Sequence, residues 1–539
     1  MPTPEPAPPF DLAIIGGGIN GCGIARDAAG RGLRVLLAEK GDLAGATSSA
    51  STKLLHGGLR YLEYFAFRLV RESLREREVL LRMMPHIARP MRFVLPLVPD
   101  MRPETPTPAA RLAGRLAPWL GGRRPAWMVR AGLFLYDHLG GRRLLPGTRA
   151  LHLPGTPEGA PLQPQLTRAY EYSDVWVDDA RLVVLNARDA AARGATILTR
   201  TEVVGARAEA GGWTVDLAGP GGGACRIRAR ALVNAAGPWA GQVLGHLLGQ
   251  TAPARLRLVR GSHLIVRRLY DHDKAYFLTG TDGRIIFAIP YEGDFTLIGT
   301  TEAEHDSPDH APRCTLAERD YLLAFANRFF ARQLGPGDVV RSYAGVRPLY
   351  DDGATSATAA TRDYVLHLDT AAGAPALHVF GGKITTYRRL AEAALAKIAT
   401  VLPGVGRAWT AGAALPGGDF PHDGVAALVS ALIARHPFLN RDWALRLVRA
   451  YGTEAEALLG GARRVEDLGR GFGATLTEAE LDWMARREWA RTAEDALWRR
   501  SKLGLRLDAE QTGRVAAWFD RDGAAETGAG VKGTLTRSA

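Results

Sequence analysis

At 539 residues, 46% hydrophobic and 23% charged, the chain is long enough for two or three domains with large cores and has an ordinary globular composition. Its net charge of +12 is carried mostly by Arg, since only seven of the 68 basic residues are Lys, and no long basic block occurs. With no RNA- or DNA-binding motif in sight, a nucleic-acid partner is not expected, which leaves a solvated Arg-rich surface, an anionic substrate or a lipid surface.

Cys22, Cys225 and Cys314 are odd in number, far apart and without CxxC spacing. They support neither a disulfide framework nor a zinc or iron–sulfur site, so a reducing compartment and no metal are expected. Residues 1–10 are Pro-rich with an acid and no basic stretch, and read as a flexible lead, not a signal peptide. The longest uncharged run, 231–254, is interrupted by Asn234, Pro238, Gln242, Gln250 and glycines, and makes a poor membrane span.

In chain order, the apolar run 12–15 predicts a buried strand that stops at Gly16-Gly17-Gly18-Ile-Asn20-Gly21. An Ala-rich helical pattern over 22–31 follows, then a second apolar strand over 33–38 ending in Glu39. Gly16 permits the tight turn, Gly18 close approach of backbone to a pyrophosphate, and Gly21 packing of helix on strand. The helix N-terminus offers unpaired N–H groups to phosphate, and Glu39 can accept hydrogen bonds from a ribose hydroxyl. Strand, glycines, helix, strand and acid in this order predict a dinucleotide site, NAD and FAD being equally compatible with it.

Gly45-Ala-Thr47-Ser48-Ser49-Ala-Ser-Thr-Lys53 leads into His56-Gly57-Gly58-Leu-Arg60-Tyr61. Small hydroxyl residues and paired glycines suit a loop lying against a flat polar cofactor. A structural helix is predicted over 61–84. Between 102 and 124, prolines, Arg and Trp119 interleave; this reads as a surface insertion, with an interfacial lipid contact as the alternative. An amphipathic helix over 178–193 is capped by Asp178-Asp179. The strand ending at Ala235-Ala236-Gly237 is a second strand end facing the dinucleotide. Residues 255–266 alternate and carry a mid-strand break at Gly261-Ser262-His263, and a meander follows to Thr301. A third strand-to-helix glycine turn stands at Phe380-Gly381-Gly382-Lys383-Ile-Thr385, and 417–524 reads as helical.

The fold class expected is α/β, with a discontinuous dinucleotide domain (11–60, 165–240 and 340–400). A strand-rich substrate or cap domain (61–164 and 241–339), a C-terminal helical domain (410–525) and flexible tails (1–10 and 526–539) complete it.

The glycine motif, Ala46-Thr47-Ser48-Ser49 with His56-Gly57-Gly58-Leu-Arg60-Tyr61, and Phe380-Gly381-Gly382-Lys383-Ile-Thr385-Thr-Tyr387 together closely resemble the bacterial FAD-dependent glycerol-3-phosphate dehydrogenase family. Tyr172-Ser-Asp-Val-Trp176-Val-Asp178-Asp179-Ala-Arg181, Gly261-Ser-His263, Gly345-Val-Arg347-Pro and Asp495-Ala-Leu-Trp498-Arg-Arg500 add to the match. The resemblance spans about 11–519 and departs at 102–124 and in both tails. It implies a Rossmann-like FAD domain of glutathione-reductase or D-amino-acid-oxidase type, with an inserted substrate domain and a helical cap. It implies oxidation of sn-glycerol 3-phosphate to dihydroxyacetone phosphate and electron transfer to quinone. The enzyme would then be a cytoplasmic one, peripheral on the lipid surface of the inner membrane, with a homodimer as a possible assembly. An oxygen-using glycerol-3-phosphate oxidase, or another flavin amine or amino-acid oxidase, is the alternative.

On that reading FAD is held by Gly16, Gly18, Gly21, Glu39, Thr47, Ser48, Ser49, His56, Gly57, Gly58, Ala236, Gly237, Gly381, Gly382, Lys383 and Thr385. Arg347 and Arg362 grip the phosphate, because Arg binds it bidentately and stays charged when desolvated. Arg60 and Lys383 lie near the substrate hydroxyls. His263 is the expected base, because the unperturbed imidazole pKa lies near neutral pH, and His56 the reserve. Lys383 is a further catalytic candidate, polarising a developing negative charge.

Overall fold

The computed structural model describes residues 8–98, 107–109, 125–249, 256–280, 283–351 and 363–526. Outside them lie Arg362, residues 1–7, most of 102–124, and 527–539.

The first sheet grows from the glycine motif. Phe10–Ile15 ends in four consecutive buried residues, as a strand covered on both faces requires. It pairs in parallel with Val35–Ala38 on one side and Ala224–Asn234 on the other. Thr196–Leu198 and Ala376–Gly381 extend the parallel set, and antiparallel Tyr364–Asp369 closes an edge. Strand order reverses between Phe10–Ile15 and Ala224–Asn234, the kind of switch point where open α/β sheets bind ligands. Helix Ile19–Gly30 packs on helices Asp179–Ala192 and Tyr387–Ile398. The approach is close because Gly23 has no side chain; a Cβ there would stand 2.7 Å from the Tyr387 ring. Asp178 caps Asp179–Ala192 by accepting from the Arg181 N–H.

The second sheet is built around Leu256–Arg267, flanked by Val339–Tyr350 on one side and by Ala303–Glu304 and Phe295–Gly299 on the other. Ile285–Tyr291, Ala275–Thr279, Ala88–Pro96, Arg168–Val177 and Leu54–Leu55 continue it outward. Each face carries its own apolar cluster, and neighbours along a strand alternate between them: Phe93 and Leu95 in one, Val94 in the other.

Sheet membership departs from the limits read in the sequence. Arg168–Val177, Leu54–Leu55 and Val339–Tyr350 fall within 165–240, 11–60 and, all but Val339, 340–400, yet all three pair in the second sheet. Their partners are distant in the chain, so local pattern carried no sign of them. Nor is there a break at Gly261-Ser262-His263. The strand stays paired with Val339–Tyr350 through those residues, and what changes is its partner on the opposite edge. The helix expected over 61–84 is a 3-10 turn, Leu59–Tyr64, followed by helix Phe67–Met83.

The C-terminal part has its own core, formed by helices such as Arg441–Tyr451 and Glu478–Glu488. Buried ion pairs join it to the first sheet's layer: Arg181 to Glu488 at 2.5 Å, Arg500 to Asp42 at 2.6 Å and Lys502 to Asp178 at 2.5 Å. Among the described residues no helix is long and apolar enough to cross a membrane.

Candidate active site

A cavity of about 570 Å³ opens at the carboxyl ends of the central strands. Gly16 leaves its strand at φ +109°, and a Cβ there would lie 2.6 Å from the Ala235 carbonyl oxygen. A Cβ on Gly21 would lie 1.9 Å from the Gly16 oxygen, so any side chain would force the helix off the strand. The Ser48 hydroxyl accepts from the Ile19 N–H at 3.0 Å, at the start of the helix. Asn20 donates to the Gly381 carbonyl at 3.2 Å, while its own side-chain oxygen is buried with no hydrogen-bond partner among the described residues. The Glu39 carboxylate accepts from the Gly17 N–H at 2.6 Å and the Gly41 N–H at 2.7 Å, one bond per oxygen. Burial nonetheless raises its pKa, those two bonds opposing the rise.

Gly16, Gly18, Glu39, Thr47 and Ser48 line this cavity from the N-terminal side, and Ala236, Gly237, Gly381 and Gly382 from the far strands. Gly21 sits behind them, and Ser49 borders an adjoining cavity of about 440 Å³. Other lining residues escaped sequence reasoning. The Trp239 indole has Lys40 over its ring at 4.0 Å, and Arg200, Asp495 and Arg499 wall the same cavity. For Asp495 and Arg499 the one signal was indirect, the Asp495-Ala-Leu-Trp498-Arg-Arg500 motif, which carried no assigned role; Trp239 follows directly on the strand end at Ala235-Ala236-Gly237.

Gly57 is placed differently from its expectation. Its N–H donates to the Tyr136 hydroxyl at 2.7 Å, and a Cβ would collide with Leu74 at 2.4 Å. The close approach that the glycine permits is therefore to protein. Gly58, at φ +76°, starts the Leu59–Tyr64 turn that carries Arg60 and Tyr61.

A second cluster forms on one face of the second sheet. His263 is opposite Tyr343, Gly261 opposite Gly345, and Val259 opposite Arg347. Bare Gly261 lets the Arg347 guanidinium fold across it; a Cβ would stand 2.6 Å from Nη2. Arg347 donates to the Thr300 hydroxyl at 3.2 Å and lies 3.7 Å from Glu302. His263 is buried, stacked on Tyr343 at 4.8 Å, with Nε2 3.0 Å from the Thr52 hydroxyl. Burial, then the charges of Arg347 and Lys53, hold its pKa well below the usual imidazole value, so the ring is neutral at pH 7.

His56 comes to the same face from the end of Leu54–Leu55, and Lys383 from the first sheet, just past Ala376–Gly381. The His56 ring is 6.5 Å from that of Phe287; Phe287 pairs with Gly299, and Gly299 with His263. The His56 N–H donates to the Thr385 hydroxyl at 3.3 Å, and Lys383 Nζ stands 3.8 Å over the Tyr61 ring. A dinucleotide cavity thus adjoins a polar cluster holding a neutral histidine and several cations.

A family model described as FAD dependent oxidoreductase matches residues 11–388. The chain belongs to that family. A second model, the C-terminal domain of alpha-glycerophosphate oxidase, matches 408–517, so the oxidoreductase domain and the helical part are both accounted for. The cofactor of the family is FAD, and the cavity fits it: bare glycines where phosphates approach, a helix N-terminus, and an acid with lone pairs still open. The oxidoreductase is 50% identical to D-erythritol 1-phosphate dehydrogenase of Brucella abortus, over 95% of this chain and 97% of the other. It is 48% identical to aerobic glycerol-3-phosphate dehydrogenase of Escherichia coli, over 94% and 97%. Among solved structures it is similar to Bacillus halodurans glycerol-3-phosphate dehydrogenase complexed with FAD, at TM-score 0.69 and 26% identity, covering 96% and 94%.

Proposed function

We propose that this oxidoreductase converts sn-glycerol 3-phosphate to dihydroxyacetone phosphate and passes the electrons to a membrane quinone. The observation that carries the reading is the near-full-length identity with the aerobic glycerol-3-phosphate dehydrogenase. The candidate residues have the chemistry which that reaction needs. Arg347 binds the phosphate, together with Arg362, while Arg60 and Lys383 address the polyol hydroxyls. His263, neutral and stacked in place, takes the C2 hydroxyl proton as C2 gives up hydride; His56 is the reserve base. Lys383 stabilises the negative charge that develops beside it. Bound FAD supplies the hydride acceptor. Gly16 to Gly21 and the helix N-terminus hold its pyrophosphate, and Glu39 a ribose hydroxyl.

Anaerobic addition of sn-glycerol 3-phosphate is expected to bleach the flavin absorbance of the purified protein; a spectrum that does not change removes the reading. Reduced protein that reoxidises with a soluble quinone much faster than with air supports the quinone over oxygen. A second reading has its own support in the Brucella relative. A four-carbon polyol phosphate keeps the phosphate grip and adds one CHOH group. A kcat/KM for D-erythritol 1-phosphate tenfold above that for sn-glycerol 3-phosphate would put this reading first.

The lipid contact is assigned to a surface next to the Leu59–Tyr64 turn. Phe65 and Phe67 are exposed there, and Trp127 (64% exposed) and Phe134 project from helix Ala126–Leu139, which packs on Phe67–Met83. Arg68, Arg71 and Arg75 of helix Phe67–Met83 and Arg389 of helix Tyr387–Ile398 line an open cleft of about 490 Å³, which Glu72 and Glu76 also border. Exposed aromatics beside Arg suit the headgroup layer of an anionic bilayer. Replacing Trp127 and Phe134 together with Glu is expected to weaken cosedimentation with anionic liposomes at least tenfold and to leave activity with a soluble dye unchanged. Unchanged cosedimentation would move the contact elsewhere.

A further inference from the structure

His263 faces the site, so its neighbour Ser262 points to the opposite face of the sheet, because strand side chains alternate. Helix Leu316–Asn327 packs on that face, and Glu318 stands in its first turn. One oxygen of Glu318 accepts from the Thr301 hydroxyl at 2.8 Å and the Ser262 hydroxyl at 3.0 Å. The other accepts from the Thr315 N–H at 3.0 Å and hydroxyl at 2.9 Å, and pairs with Arg260 at 3.0 Å. The Thr301 hydroxyl also accepts from the Ser262 N–H at 2.9 Å. Burial raises the Glu318 pKa, but the bonds from Thr315, Thr301 and Arg260 outweigh it and hold the carboxyl below its usual value.

Capping the helix accounts for one oxygen only. Thr315 and Glu318 form a reciprocal capping box through the second oxygen. The first is given to two hydroxyls that a helix cap does not need, and to a longer bond from Arg260 Nε at 3.4 Å. Ser262 adjoins His263, and Thr301 adjoins Thr300, to which Arg347 donates. A single carboxylate therefore ties together, from behind, the two backbone segments that present the histidine and the arginine's hydroxyl partner.

We propose that Glu318 is a positioning residue for the reaction: through Ser262 and Thr301 it sets the spacing between His263 and the Thr300–Arg347 pair. This rests on the roles given above to His263 and Arg347. A displacement of about 1 Å between reacting groups can cost roughly a hundredfold in rate.

The test is anaerobic flavin reduction by sn-glycerol 3-phosphate in holoenzyme variants, with FAD content and melting temperature measured alongside. Ser262→Ala and Thr301→Val cut the strand ties and leave the cap. Each is expected to slow reduction at saturating substrate by about 10- to 100-fold per bound FAD, with FAD content retained. Glu318→Gln should behave likewise. Thr315→Ala removes the cap alone; it should lower the melting temperature and keep the saturating rate within about twofold. Should Glu318→Gln fail to fold, the two strand variants decide the matter. Parental rates in both of them, or an equal loss in Thr315→Ala, would overturn the proposal. His263→Ala and Arg347→Ala serve as references: if both reduce at the parental rate with unaltered substrate affinity, the assignment of the site itself has failed.

Discussion

Arg347→Ala is expected to raise KM for sn-glycerol 3-phosphate by roughly 30- to 1,000-fold while the protein keeps its FAD. The range follows from the cost of removing one partner of a shielded, charge-assisted pair, about 2–4 kcal/mol. Arg347 is 24% exposed, so solvent screens it only in part. The substitution also leaves Glu302, now 3.7 Å from the guanidinium, facing the phosphate with like charge. Adding Glu302→Gln to Arg347→Ala should therefore recover part of the lost affinity, which a purely steric explanation would not give. Arg347→Lys keeps the charge and loses the planar fork, and is expected to fall between parent and Ala variant. Steady-state kinetics with a soluble acceptor, next to a flavin absorbance scan, measures all three. A KM within twofold of the parent in Arg347→Ala would exclude this residue from the phosphate site.

Gly21→Ala is expected to give a protein that purifies nearly colourless. Its Cβ would sit 1.9 Å from the Gly16 oxygen, far inside any non-bonded contact. The obstacle is backbone, which cannot swing aside as a flexible side chain can. Helix Ile19–Gly30 must then shift on its strand and carry its N-terminal N–H groups away from the phosphates. Overpacking of this kind costs about 1–3 kcal/mol, and more where backbone is the obstacle, so FAD affinity should fall by at least about two orders of magnitude. Gly241→Ala is the matched control, since an added Cβ there meets nothing within 4 Å and the backbone needs no left-handed conformation. Equal FAD occupancy in the two variants after dialysis would show that the glycine motif does not carry the cofactor.

The part of the molecule legible in the sequence is the part whose cause is local. A buried strand, three glycines, a helix, a second strand and Glu39 follow one another within thirty residues, and the cavity forms where that order says it should. His263 and Arg347 could be named from residue type and nearby glycines. That they share one face depends on the register Val259 to Arg347, a pairing across more than eighty residues. The glycine code itself is ambiguous about the neighbour. Gly57 reads like a cofactor contact, yet the atoms it makes room for belong to Leu74 and Tyr136. The sheet to which a strand belongs is hidden for a related reason. Arg168–Val177 has the composition of any strand, and only its pairing with Ala88–Pro96 assigns it to the second sheet. Least legible was Glu318, which looks like an ordinary helix cap and has its second pair of partners on strands and loops far from it in sequence.

The wall that Asp495 and Arg499 lend to the dinucleotide cavity bears on the order in which the protein is assembled. The motif at Gly16 to Gly21 leaves the ribosome long before Asp495 and Arg499 do, and domains tend to fold as units as they emerge. This cavity cannot be completed on that schedule. Arg500 must first reach Asp42, a closure spanning 458 residues, and Arg200 must find Asp495. The cofactor signature is therefore made long before the helical wall of its cavity, and a finished place for FAD exists only once that wall has docked.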